Sequence, residues 1–122
     1  MTPMRLQAAN GWLLISDLDW QALCLLAEYH GWQEEDDEEK GRPHFLSRRC
    51  AAALADALAE ALLSIPERDQ LTPEEVEIAR LQPLPWRQAD VHRWFSGTAG
   101  RDLLGRVIRL ARQSPLSLKP LD

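Results

Sequence analysis

Residues 47–65, SRRCAAALADALAEALLSI, form the longest run in this chain with a single clear period. Leu54, Leu58 and Leu62 recur every fourth residue, with Cys50, Ala57, Ala61 and Ile65 beside them. That spacing draws one apolar stripe along an α-helix. The alanines favour the helix strongly, and their small side chains let other helices approach closely. Ser47 offers an N-cap oxygen, and Pro66 cannot continue the helix. The stretch predicts a central helix around which the rest of the chain packs.

Working outward, Ser16 caps a helix that runs to about His30, with Asp19 in a capping-box-like position and Gly31 as the C′ residue. Its apolar face is Leu18, Ala22, Leu25 or Leu26, and Tyr29. Before it, residues 11–15, GWLLI, suit a brief strand or a packed lead-in. Phe45 and Leu46 lead back into the core ahead of the central helix. Beyond it, residues 72–75, TPEE, are a strong helix start, and Pro83 and Pro85 stop that helix at about Leu81. Residues 86–95 read as helix with Val91, Trp94 and Phe95 inward, and residues 96–100, SGTAG, as a turn. Leu103, Leu104, Val107, Ile108 and Ala111 mark a last helix ending before Pro115. Residues 116–118 suit a terminal strand, with GWLLI as its pairing partner. The expected fold is mainly α: one domain over residues 1–122, a bundle of four to five helices with room for a small terminal β pair.

A chain of 122 residues suits one domain that buries about two-thirds of its unfolded surface. With 45% apolar and 27% charged residues it has an ordinary globular composition. No apolar run approaches the ~20 residues of a membrane span, and the first residues lack the pattern of a signal peptide. Cys24 and Cys50 fall on apolar helical stripes, as buried thiols of a reducing compartment do. A cytoplasmic location with no membrane contact is expected. The net charge of −5 is uneven: residues 1–83 carry −9 and residues 84–122 carry +4. An acidic balance disfavours nucleic acid, whose affinity rests on phosphate neutralisation, and favours basic partners.

The most unusual segment is residues 33–43, QEEDDEEKGRP, which reads as a solvated, mobile loop. It is either a solubilising surface or a landing site for a basic groove, in which Glu34, Glu35, Asp36, Asp37, Glu38 and Glu39 imitate phosphates and speed association. It lacks the alternating ligand spacing of a calcium loop. Arg101, Arg106, Arg109 and Arg112 form either a solvated helix face or a contact for an acidic partner, including the acidic loop of a second copy. Four of the five tryptophans are expected to pack against helices. Trp86 and Trp94 are the candidate partner-binding anchors, beside a core-packing role. His30, His44 and His92 have no neighbours at catalytic or metal spacing, and no CxxC, phosphate-loop or GxSxG pattern occurs. The expectation is therefore no catalytic residue, no metal and no cofactor.

Three segments, WQALCLLAEYHGW, FLSRRCAAALADALAEALLSIP and RWFSGTAGRDLLGRVIRLARQSPLSL, together resemble a loose set of small bacterial proteins. These share a helix ending in a Gly-Trp step, an Ala-Asp-Ala-Leu-rich central helix, and a Phe-x-Gly turn opening a last helix. The resemblance implies a bacterial, mostly helical, single-domain protein, and carries over no functional residue. This chain departs from the set in ending PLSLKP where a glycine-rich step would stand. Small size, an acidic pole and no catalytic pattern point to a non-enzymatic protein–protein interaction module, of the immunity type that neutralises a basic toxin or effector. The alternative is a small dimeric regulatory or adaptor domain that binds a metabolite or a partner helix. The expected state is monomer or homodimer.

Overall fold

In residues 3–8, PMRLQA, Met4, Leu6 and Ala8 alternate with Arg5 and Gln7, which is the period of a strand. The computed structural model describes residues 3–33, 45–83 and 86–120. In it this segment is β1 (Pro3–Ala8), which turns through Ala9 and Asn10 into β2 (Gly11–Ser16), with Ala8 facing Gly11. The remaining strands are β3 (Phe45–Leu46) and β4 (Leu116–Pro120). All pairs are antiparallel, in the order β2-β1-β4-β3.

This sheet corrects the expectation of a mainly α bundle with a small terminal β pair. The molecule is mixed, with five helices and a four-stranded sheet among the described residues. GWLLI does not pair with residues 116–118 either, because β1 lies between them. The physical reason is that among the described residues no strand exceeds six residues, so none carries a long period of its own. The β1–β4 and β3–β4 pairings that complete the sheet join segments distant in sequence.

The helices follow their local signals more closely. Ser16 Oγ accepts from Asp19 N and starts α1 (Asp17–Tyr29), with His30 as C-cap and Gly31 at φ +96°. Ser47 Oγ accepts from Cys50 N and starts α2 (Arg48–Leu62), which ends a turn before Pro66. Thr72 and Glu75 close a full capping box on α3 (Pro73–Leu81). Then come α4 (Gln88–Trp94) and α5 (Gly97–Gln113). Residues 96–100, expected as a turn, are instead the cap and first turn of α5. Gly97 takes φ +87°, and a Cβ on Gly100 would collide with the backbone of Phe95. Glycine is what lets α5 begin that close to the end of α4.

Leu54, Leu58, Leu104 and Val107 have no exposure, and α2 packs along α5. Arg101 donates to the carbonyls of Leu62 and Ile65 at 3.0 and 2.6 Å, so a cation from α5 closes the C-terminus of α2. Leu6, Leu13, Ile15, Leu46, Leu116 and Leu118 join the same core from one face of the sheet, where α1, α2 and α5 meet the strands. The central position of α2 agrees with its reading in the sequence. α3 buries no residue.

Candidate functional site

Among the described residues helices cover only one face of the sheet, and strand alternation turns Arg5, Gln7, Trp12, Leu14, Phe45, Ser117 and Lys119 to the other. The register sets them in rows. Trp12 lies opposite Gln7, Gln7 opposite Ser117, and Ser117 opposite Phe45. The two aromatic rings thus end a row three strand spacings long, about 14 Å. The adjacent row is Leu14, Arg5 and Lys119. Trp12, Leu14 and Phe45 are 60, 55 and 62% exposed. The Arg5 guanidinium lies 5.6 Å from the Trp12 ring centroid, a cation–π contact that holds the indole. None of the four strands contains a carboxylate. The surface is therefore apolar at its ends and cationic in its middle, chemistry suited to an extended or flat partner that covers the apolar side chains.

The tryptophans expected as anchors stand elsewhere. Trp86 is buried and Trp94 half-buried, their rings meeting edge to face at 5.2 Å. Trp94 Nε1 donates to Asp19 Oδ1 at 2.8 Å and Trp86 Nε1 to the Gln82 carbonyl at 3.2 Å. The Tyr29 hydroxyl donates to the Trp86 carbonyl at 2.6 Å. Both indoles join elements within the molecule, as a core role requires. They also line a cleft of about 210 Å³ under α3, with Leu71, Ile78 and Arg93. Four tryptophans are packed, as expected, and the exposed one is Trp12.

Glu34, Glu35, Asp36, Asp37, Glu38 and Glu39 lie outside the described residues, as does His44. Of the last-helix arginines, Arg101 serves as the α2 cap and Arg106 stands 3.5 Å from Asp102, while Arg109 and Arg112 are exposed. Cys24 and Cys50 are both buried.

Tertiary structure also joins two histidines that are far apart in sequence. His30 Nε2 and His92 Nε2 are 3.0 Å apart, with ring planes at 19°. Their centroid separation of 5.3 Å is what end-to-end rings give, so this is an N–H···N bond with one ring donating and the other accepting. The Glu60 carboxylate stands 3.5 Å from His30 Nδ1. Burial, and then the neighbouring His30, push the His92 pKa below its ordinary value. The pair ties the end of α1 to α4. Among the described residues no group of three His, Cys, Asp or Glu side chains converges to hold a metal ion. No helix among them is long and apolar enough to cross a membrane.

The outward face is not apparent in GWLLI alone, which suits a brief strand or a packed lead-in without saying which of its apolar side chains point away from the core. The missed signal was the alternation in residues 3–8, which sets Arg5 and Gln7 on one face and, through a two-residue turn, Trp12 and Leu14 with them. No family model, curated protein or solved structure matches this chain.

Proposed function

We propose that this protein is a non-catalytic protein–protein interaction module whose docking surface is the open face of its sheet. One observation carries the reading: Trp12, Leu14 and Phe45 stand more than half exposed around Arg5 and Lys119. Large apolar side chains grouped on one face contribute most when a partner covers them. Two cations are too few for phosphate-driven affinity in a chain of net charge −5, so a protein partner fits better than nucleic acid.

An immunity-type inhibitor is one use of such a module. In that use Glu34 to Glu39 steer a basic toxin by long-range attraction, and the sheet face supplies the desolvated anchors in place of Trp86 and Trp94. The two contributions separate kinetically. Replacing Trp12 and Phe45 with Ser should remove capture of the cognate partner and leave thermal unfolding within a few degrees of wild type. Replacing the six acids with Ser should slow association and flatten its salt dependence without changing dissociation. Capture that survives the Trp12/Phe45 change would sink the sheet-face reading, and an unaltered on-rate would sink the steering role.

A further inference from the structure

We propose that two copies of this chain associate through β2, antiparallel about a two-fold axis, joining their four-stranded sheets into one continuous sheet. Among the described residues β2 ends the strand order and pairs on one side only, with β1. An end strand presents unpaired backbone groups, and proteins commonly blunt it with charge, proline, a bulge or shortness. At the opposite edge, among the described residues, β3 is blunted by its length of two residues. β2 has six residues, GWLLIS, with neither charge nor proline. The sheet's cations, Arg5 and Lys119, sit on the two inner strands instead.

The hairpin states which backbone groups are available. Its two-residue turn makes Ala8 and Gly11 the hydrogen-bonded closing pair. By alternation Leu13 and Ile15 direct their N–H and C=O toward β1, while Trp12 and Leu14 direct theirs to the open edge. Antiparallel pairing that sets Trp12 of one copy opposite Leu14 of the other satisfies these groups reciprocally. It also lays each exposed indole beside the other copy's exposed Leu14.

Charge supports a second copy as the occupant. Arg106 and Arg109 line a cleft with Asn10, Gly11 and Trp12, at the turn end of β2. Asp17 opens α1 at the other end of the strand. The two-fold sets the basic end of each copy beside the acidic end of its mate. Pairing through the edge leaves Arg5, Lys119 and Phe45 uncovered, so the dimer would present two docking faces side by side.

Sedimentation equilibrium of the full chain over a micromolar-to-millimolar series should give twice 13.9 kDa at the upper end. In wild-type protein the amides of Trp12 and Leu14 should gain exchange protection as concentration rises, while those of Leu13 and Ile15 should not change. A Trp12→Lys/Leu14→Lys double variant, its fold checked by circular dichroism, should dissociate about 100-fold more readily, because each change acts twice across the axis. A wild-type monomer throughout overturns the proposal, even if it takes up an extended foreign peptide at β2. So does a dimer whose Trp12 and Leu14 amides gain no protection. Either outcome leaves heterologous docking on the sheet face to be decided by the Trp12/Phe45 capture experiment.

Discussion

The absence of a single methyl group lets α5 start where it does. A Cβ at Gly100 would occupy the space of the Phe95 backbone, which cannot swing aside as a long side chain can. Gly100→Ala should therefore lower stability by about 3 kcal/mol, read as a fall in the urea midpoint. Gly105 is the internal control: it lies in the same helix, and a Cβ there meets nothing within 4 Å. Gly105→Ala should raise stability by about 0.5–1 kcal/mol. The same scale holds the His30–His92 bond. It needs a lone pair on one ring, so it tolerates one proton on the pair and not two. The folded pKa of His92 lies below the ordinary 6.5, so the folded state binds protons less readily than the unfolded one. Its contribution is therefore full above pH 6.5 and falls as pH drops from there through the folded value. The Glu60 carboxylate faces the pair from the Nδ1 side of His30, at 3.5 Å. Unfolding midpoints from pH 7.5 to 5 should decline more steeply for wild type than for His92→Phe; parallel curves would remove the pair from the account.

Among the elements, α2 and α3 are opposites. α2 has a Ser47 cap bond at its N-terminus and buries a full stripe. α3 has a complete capping box, Pro73 in its first turn and two glutamates, yet none of its residues is fully buried. Capping sets where a helix starts; packing sets how strongly it is held. α3 is tethered by polar groups: Arg93 donates to Glu75 at 2.7 Å and to the Gln70 carbonyl at 3.3 Å, and Trp86 reaches Gln82. The Thr72 backbone N–H, and then Arg93, hold the Glu75 carboxyl below its ordinary pKa of 4.5. That contribution is present above pH 4.5 and is lost as pH falls through the folded value. Arg93→Gln should raise amide exchange across residues 73–81 several-fold while moving global stability by less than about 1 kcal/mol. A loss shared by the whole molecule would mean α3 is part of the main cooperative unit. Leu58→Ala in α2 should instead cost about 2–5 kcal/mol, because Leu58 has no exposure and the cavity has no exposed side to relax.

For the whole molecule, the sheet decides how far the two ends of the chain depend on each other. β4 lies between β1 and β3, so its loss leaves β3 unpaired and opens one side of β1. Deleting residues 116–122 should abolish cooperative thermal unfolding; a sharp transition in the truncated protein would show that the helices fold without the sheet. The helices were legible in the sequence because their causes are local. Ser16, Ser47 and Thr72 sit beside the amides they bond, and Leu54 and Leu58 repeat within one element. The first turn of α5 was not legible, since Ser96-Gly97-Thr98-Ala99-Gly100 is turn chemistry that becomes helical only where Gly97 and Gly100 meet Pro66, Asp69 and Phe95. The exposed face of Trp12, Leu14 and Phe45 was not legible either. A short apolar run reads as core until its alternation is set against strands that begin at residues 3, 45 and 116. By itself the sequence determined the starts of α1, α2 and α3 and the central stripe of α2, which are matters of neighbours along the chain. Tertiary structure alone decided the sheet order, the meeting of His30 with His92, and which apolar residues face outward. Those depend on hydrogen bonds and contacts between segments tens of residues apart, whose positions no local preference specifies.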